Sequence, residues 1–273
     1  MMADVLLYSV GNFIYRGAVI MIYDLQKASL WKRIAAWMFD GILTGILAVG
    51  LGVLLSMLLG YDGYSRQVDE AYAKYEAQYG IVFEITQDAY EAMDDRTRQN
   101  YDAAYEALIA DSEAMRAYNM TLNLTLVITS LGFLLAMLLW ELVIPIWLGN
   151  GQTLGKKIFS LCLVRNDGVK LNHLQLFARM LLGKFTIETM LPVYVLILVF
   201  WGVVGLPGTL LLFAILIAQV LCLIISRDNC AIHDLIAGTV VVDISSQMIF
   251  RTTEDLIAYK KKIAAEQAAR QVY

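Results

Sequence analysis

The sequence is poor in the residues that build soluble catalytic or nucleic-acid-binding proteins. Only two histidines and three cysteines occur in 273 residues. Cys162, Cys222 and Cys230 form no CxxC pair and cannot all pair with one another, which argues against a disulfide framework and a cysteine-based zinc site. Charged residues make up 17% of the chain, against roughly 25% in an average globular domain. The net charge of −4 gives no basic face for a nucleic acid. What is abundant is apolar: 59% of residues, with a mean hydropathy of +0.61. Such a chain lacks the polar surface to face water all round. An ordinary water-soluble enzyme and a disordered segment are both excluded.

A helix needs about 20 apolar residues to cross roughly 30 Å of hydrocarbon. Three uncharged runs qualify: Gly41 to Tyr61, Ala117 to Trp140, and Thr189 to Ser226. The third would measure about 57 Å as one helix, so it must fold back. The cluster Gly202, Gly205, Pro207 and Gly208 supplies the break. The expected architecture is an all-α membrane protein with four transmembrane helices, at 34–60, 120–148, 189–206 and 209–226. Lys27, Lys32 and Arg33 precede the first span, Lys156, Lys157, Arg165 and Lys170 follow the second, and Arg227 follows the fourth. By the positive-inside rule these flanks, and both termini, are cytoplasmic. Residues 1–20 have neither a basic n-region nor a cleavage site. They read as an N-terminal extension, with Met21 as an alternative start and 21–60 as an interfacial segment leading into the first span.

The first two spans are separated by an insertion, 61–119, with 13 acidic and 5 basic residues, net −8 against +4 for the rest of the chain. Its helix formers predict an exoplasmic hairpin of helices at 65–79 and 87–118, broken at Gly80, with Thr86 as N-cap. Tyr72, Tyr75 and Tyr79, and Tyr101, Tyr105 and Leu108, form one stripe on each helix. The stripes pack on each other or offer an acidic, tyrosine-lined face to a cationic ligand or partner. In the cytoplasmic segment 149–188, a β-branched run ends in Asn166, Asp167 and Gly168, and Thr239 to Asp243 in the segment 227–243 has the same character. The two are expected to pair as a small two-stranded cytoplasmic sheet. Asn172, Gln175, Arg179, Lys184 and Glu188 recur near a helical period and predict an amphipathic elbow at the interface, feeding a hairpin of spans over 189–226. The tail, 244–273, reads as a solvated cytosolic helix capped by Thr252 or Thr253.

Ionisable residues within a span cost at least about 2.5–3.5 kcal/mol and are the informative ones. Asp40 lies two turns beyond Arg33, and Glu141 sits at a similar depth in the second span. Proximity of the two would raise at least one pKa and create a proton site; the alternative is that Arg33, Arg179 or Lys184 neutralises each and holds helices together. "GNGQTLGKK" has one residue too few between glycines for a phosphate loop and no Ser or Thr for magnesium, so nucleotide binding is not expected. The acidic residues lack the order of a calcium loop. His233 and Asp234 are adjacent, so their side chains are expected to diverge, and no nucleophile is placed to use them. His173 reads as an interfacial polar residue. No metal, no cofactor and no enzyme activity are expected.

"LWKRIAAWMFDGIL", "GQTLGKKIFSLCLVRNDGVKLNHLQLFARMLL" and "RDNCAIHDLIAGTVVVD" together resemble the RDD family of small prokaryotic membrane proteins, named for one arginine and two aspartates. By position these are Arg33, Asp40 and Asp234. Members commonly join their first two spans by a shorter loop, so 61–119 is an elaboration. The resemblance implies a multi-pass protein of the prokaryotic cytoplasmic membrane; transport, including sodium/proton exchange, has been proposed for some members. The resulting expectation is transport or binding of a small ion or solute, coupled to protons. Arg33, Asp40 and Asp234 form the site, supported by Glu141, Arg179, Lys184 and Glu188, and a homo-oligomer would supply walls that four helices lack. The rival expectation is a non-transporting accessory or assembly protein whose acidic hairpin binds partners.

Overall fold

The computed structural model describes residue 25 and residues 28–202, 205–226 and 229–271. The N-terminal extension, Met21, Lys27 and Arg227 lie outside the described residues. Helix α1 (Leu30–Leu59) ends at Gly60, whose φ of 69° lets its N–H close back on Met57 and Ser56 carbonyls. Ala36, Asp40, Thr44 and Ala48 are the buried residues of α1 and recur every fourth position, a narrow stripe of small side chains with one acid in it. Large apolar residues such as Ile42, Ile46, Val49 and Met57 point outward and are more than half exposed, as suits lipid contact.

The insertion folds as α2 (Tyr61–Tyr79), α3 (Gln87–Glu91) and α4 (Asp95–Ala110). The break at Gly80 and the Thr86 cap are as the sequence indicates: Gly80 has φ 66° and Thr86 accepts from the Ala89 N–H at 3.2 Å. The helix expected over 87–118 is instead three helices. Asp94 accepts from the Arg96 and Thr97 N–H groups and starts α4; Asp111 accepts from those of Glu113 and Ala114 and starts α5 (Ser112–Leu138). Each aspartate offers an N-cap where continuous helix formers suggested none. The hairpin core is Tyr75, Leu108 and Ala114. Beside it Tyr72, Phe83, Tyr101 and Tyr90 stack edge to face, with ring centroids 5.3–5.7 Å apart.

Helix α5 returns along α1. Gly132 allows this: a Cβ there would sit 3.3 Å from the Ala48 carbonyl oxygen and 3.5 Å from Gly52 Cα. The crossing continues through a π-helical turn, π1 (Leu139–Val143), into α6 (Ile144–Leu148). After it come α7 (Leu154–Ile158) and β1 (Leu161–Arg165), which pairs antiparallel with β2 (Thr239–Asp243), Leu161 opposite Asp243 and Arg165 opposite Thr239. The expected two-stranded sheet is therefore present. Its alternating side chains fill two cores: Leu161, Leu163 and Val241 against Ala28, Ala36 and Leu176, and Cys162, Val164, Val240 and Val242 against Cys230.

Helix α8 (His173–Ala178) passes into a ten-residue π-helix, π2 (Arg179–Glu188), then α9 (Leu191–Trp201), α10 (Gly205–Ile225) and α11 (Ile232–Ala237). The third span expected at 189–206 needs correcting. With 11 residues, α9 is about 16 Å long and cannot cross alone. It forms one apolar unit with α8 and π2, bent by 57° at the left-handed residue Met190. Among the described residues three helices, Leu30–Leu59, Ser112–Leu148 and Gly205–Ile225, are long and apolar enough to cross a bilayer, or four crossings with the bent pair counted. The elbow is corrected too: Arg179 and Lys184 face inward, 2% and 6% exposed, rather than toward an interface.

Ala28 donates to the Val241 carbonyl, and Phe250 bridges Val169, so the segments that lead into the first and last helices both lie at the sheet end of the bundle. Helix α12 (Thr253–Gln271) is capped by Thr252, with Asp255 reciprocating. It is not solvated throughout: Leu256 is buried against Val169 and Phe250.

Helix α11 packs on π2 so closely that a Cβ on Gly183 would lie 2.6 Å from His233 Cα. Gly183→Ala is expected to cost ~1–3 kcal/mol and lower the melting temperature of the purified protein, while Gly52→Ala, 3.8 Å from Ile128, leaves it unchanged. In the hairpin, the Ala114 amide, with Tyr75 and Lys74, holds the Asp111 carboxyl below its ordinary 3.8, at about 2. The folded value is depressed, so its stabilisation is complete above pH 3.8 and is lost as pH falls through about 2. NMR shifts of the Glu113 and Ala114 amides are expected to titrate near 2 rather than near 3.8.

Candidate functional site: a buried charge network

Two π-helical segments supply the site: Trp140 of π1 reaches Asp40 on α1, and Lys184 of π2 reaches Glu141 of π1. An inserted i→i+5 turn re-aims side chains that an α-helix would turn apart by about 100° per residue. In π1 it leaves Trp140 and Glu141 both buried. In π2 the five-residue spacing places Arg179 and Lys184 on one side, both salt-bridged to Glu141. Neither segment was expected to be other than α-helical.

Asp40 is 3% exposed, and neutral donors reach both of its oxygens. Trp140 Nε1 donates at 3.0 Å and the Gly155 backbone N–H at 2.9 Å to Oδ1; the Thr153 hydroxyl donates at 2.5 Å to Oδ2. Three donors suit an acceptor-only carboxylate. Gly155 is required here, since a Cβ would come within 2.5 Å of the Ala36 carbonyl oxygen and 2.8 Å of the Asp40 carboxyl. The loop that lacks the spacing of a phosphate loop thus holds a carboxyl group, one supplied by the chain itself. Thr153, Gly155 and Lys156 were missed for that reason; the signal was the loop's capping threonine and glycine next to a lysine.

Thr153 also accepts from Lys156 Nζ at 3.2 Å, and that ammonium lies 3.6 Å from Glu141 Oε2. Burial, partly offset by Glu141, pulls Lys156 down to about 8. Glu141 is paired with Lys184 through Oε1, while Oε2 faces Lys156 Nζ and Arg179 Nη1, each at 3.6 Å, without a hydrogen bond. Arg179 turns its Nε and Nη2 to Asp234 Oδ1, both at 3.0 Å, and Arg33 Nη2 donates to Asp234 Oδ2 at 2.7 Å. Burial opposes the charge on Asp234, but the surrounding cationic groups outweigh it and hold the carboxyl well below the usual carboxylate range. Asp234 also caps its own α11, accepting from Ala231 N–H at 3.2 Å.

Glu188 closes the far side. It accepts from the Trp37 indole, and His233 Nδ1 lies 3.0 Å from its Oε2. His233 and Asp234 do not diverge as expected: the imidazole lies between two carboxylates, with Nδ1 near Glu188 and Nε2 3.6 Å from Asp234 Oδ1. Burial holds His233 below its ordinary value. Four cations (Arg33, Lys156, Arg179, Lys184) therefore meet four carboxylates (Asp40, Glu141, Asp234, Glu188), with His233 beside them. The expected site residues are all brought to the sheet end, with one regrouping. Arg33 joins Asp234 rather than Asp40, and Asp40 is held by neutral donors. No group of histidine, cysteine and carboxylate side chains able to hold a metal occurs among the described residues.

The long apolar crossings and a charged cluster enclosed at one end define a multi-pass helical membrane protein. The model of the RDD family matches residues 27–238, a range that contains Arg33, Asp40 and Asp234, and the chain belongs to the RDD family. No curated protein and no solved structure matches it.

Removing one partner of a buried pair strands the other charge. Asp234→Asn leaves Arg33 and Arg179 without their shared carboxylate and is expected to cost ~3–5 kcal/mol, read as early thermal unfolding in detergent. Lys32→Ala removes only an ion pair whose lysine is 44% exposed and is expected to cost less than ~1 kcal/mol.

Proposed function

We propose that this RDD protein binds or moves a small ion or solute across the membrane, in steps coupled to protonation of the buried network. The observation that supports the reading is the chain Asp40–Thr153–Lys156–Glu141, in which a buried lysine bridges two intramembrane carboxylates. Buried ion pairs add little stability over apolar packing, so eight charged groups at one end of a bundle are poorly explained as a fastening. Intramembrane ionisable residues mark ion or proton routes far more often. Lys156, pulled to about 8, exchanges a proton near neutral pH beside Glu141 Oε2, an oxygen without a hydrogen bond. Asp40 is the carboxylate that the entering ion or proton meets through Thr153. Arg33, Arg179 and Asp234 form the fixed side of the network. The reading invokes no cofactor and no covalent chemistry, and a second copy of the chain would complete the route.

The sheet end carries Lys32, Arg33, Lys156, Lys157, Arg165 and Lys170, and we assign it, with both termini, to the cytoplasmic face of a prokaryotic cytoplasmic membrane. The acidic hairpin then lies outside. A second reading, an accessory protein that binds partners through this hairpin, draws on the hairpin's having a core of its own.

Reconstituted in liposomes, the wild type is expected to pass cations under a pH gradient, with flux per folded protein at least tenfold lower in Asp40→Asn and Lys156→Met, each assayed below its own lowered melting temperature. Wild-type flux equal to that of empty liposomes, with co-purifying proteins lost on deleting 61–119, would establish the second reading instead.

A further inference from the structure

The hairpin's tyrosines divide into two sets. Tyr75 donates to Asp111 at 3.0 Å, Tyr90 to Asp102 at 2.8 Å and Tyr101 to the Phe83 carbonyl at 3.3 Å; these hold the fold. Tyr72, whose ring also stacks on Phe83, Tyr105 and Tyr118 do not tie the fold through their hydroxyls. Among the described residues their hydroxyls have no hydrogen-bond partner, and they are 37%, 52% and 41% exposed. All three line one pocket of about 190 Å³ between α2, α4 and the start of α5, completed by Val68, Leu108 and Met115. Packing of the hairpin core does not require three phenols to converge on an open space.

We propose that this pocket binds a methylated ammonium group. Aromatic faces attract cations through their quadrupole, and a cage of several rings is the usual receptor for a quaternary ammonium, which offers no hydrogen-bond donor and needs none. The chemistry of the lining fits: three aromatic rings, an apolar floor and no lysine or arginine among the lining residues. The volume fits a head group rather than a drug-sized molecule, whose pockets start at roughly 300 Å³. The field fits as well. The insertion is net −8, and Asp69, Glu70, Glu106 and Glu113 each neighbour a lining residue in sequence, against one cation, Arg116 beside Met115, which favours approach of a cation. Burial, and then Tyr118, Tyr105 and Tyr101, holds the Tyr72 phenol above its ordinary value, so the ring stays neutral. The methylated ammonium is either a free solute or the head group of a choline lipid.

The test is calorimetric titration of the full chain in phosphatidylglycerol nanodiscs with choline chloride, with neutral 3,3-dimethylbutanol as the uncharged isostere. Choline is expected to bind at least tenfold more tightly than the alcohol. Tyr72→Ala is expected to weaken it about tenfold, the effect of one ring, and Tyr90→Phe to leave it unchanged. Should Tyr72→Ala unfold the hairpin, Tyr105→Leu on the more exposed rim carries the same expectation. In phosphatidylcholine nanodiscs, unaltered choline binding assigns a free solute, and binding suppressed by the lipid assigns the head group. Absence of choline binding in phosphatidylglycerol, equal binding of the alcohol, or full binding by a folded Tyr72→Ala and Tyr105→Leu would each overturn the proposal.

Discussion

Asp234 binds two guanidiniums with one carboxylate, and the packing of the sheet end follows from that arrangement. Arg33 arrives on α1, Arg179 on π2 and the acid on α11, so a single compensated charge ties three elements. An unpaired charge in this setting costs several kcal/mol, which leaves little freedom in how those elements meet. The close approach of Gly183 to His233 is the steric side of the same constraint, since only a glycine lets π2 come near enough for Arg179 to reach. From Arg179 the network continues to Glu141, Lys184 and Lys156, and through Thr153 to Asp40.

Within that network the fixed and the adjustable parts differ in their hydrogen bonds. Asp234 has donors on both oxygens and two formal cations. Glu141 has one oxygen bonded to Lys184 and the other at 3.6 Å from two cations, with no bond to either. The hairpin obeys other rules: it is acidic, capped by Thr86, Asp94 and Asp111, and held by tyrosines rather than by ion pairs in a low dielectric.

Much of this was legible in the sequence. Uncharged run lengths gave two of the crossings and the return helix; the β-branched runs gave the sheet; Arg33, Asp40, Glu141 and Asp234 stood out because charge is rare in such segments. What was hidden shares one cause, namely that a period alone does not say which way a polar stripe faces. The stripe from Asn172 to Glu188 has the spacing of an interfacial helix, but its five-residue step from Arg179 to Lys184 fits a π-helix, and the cations turn inward to meet Glu141. The third crossing was misplaced because an uncharged run was taken as the limit of a span, whereas paired charges let the unit begin at His173. Thr153 and Gly155 could be read only once their anion was known to be a distant aspartate rather than a phosphate. Asp94 and Asp111 were hidden among helix formers, where only the local geometry shows a cap.

Proton exchange at Lys156 near neutral pH is what would distinguish a working network from a fastening. The most direct measurement is the pH dependence of the Lys156 ¹³Cε NMR shift in the folded protein, assigned with Lys156→Arg. A midpoint at about 8 is the expected result; a midpoint at or above the ordinary 10.5 would contradict the account and leave the network a fastening.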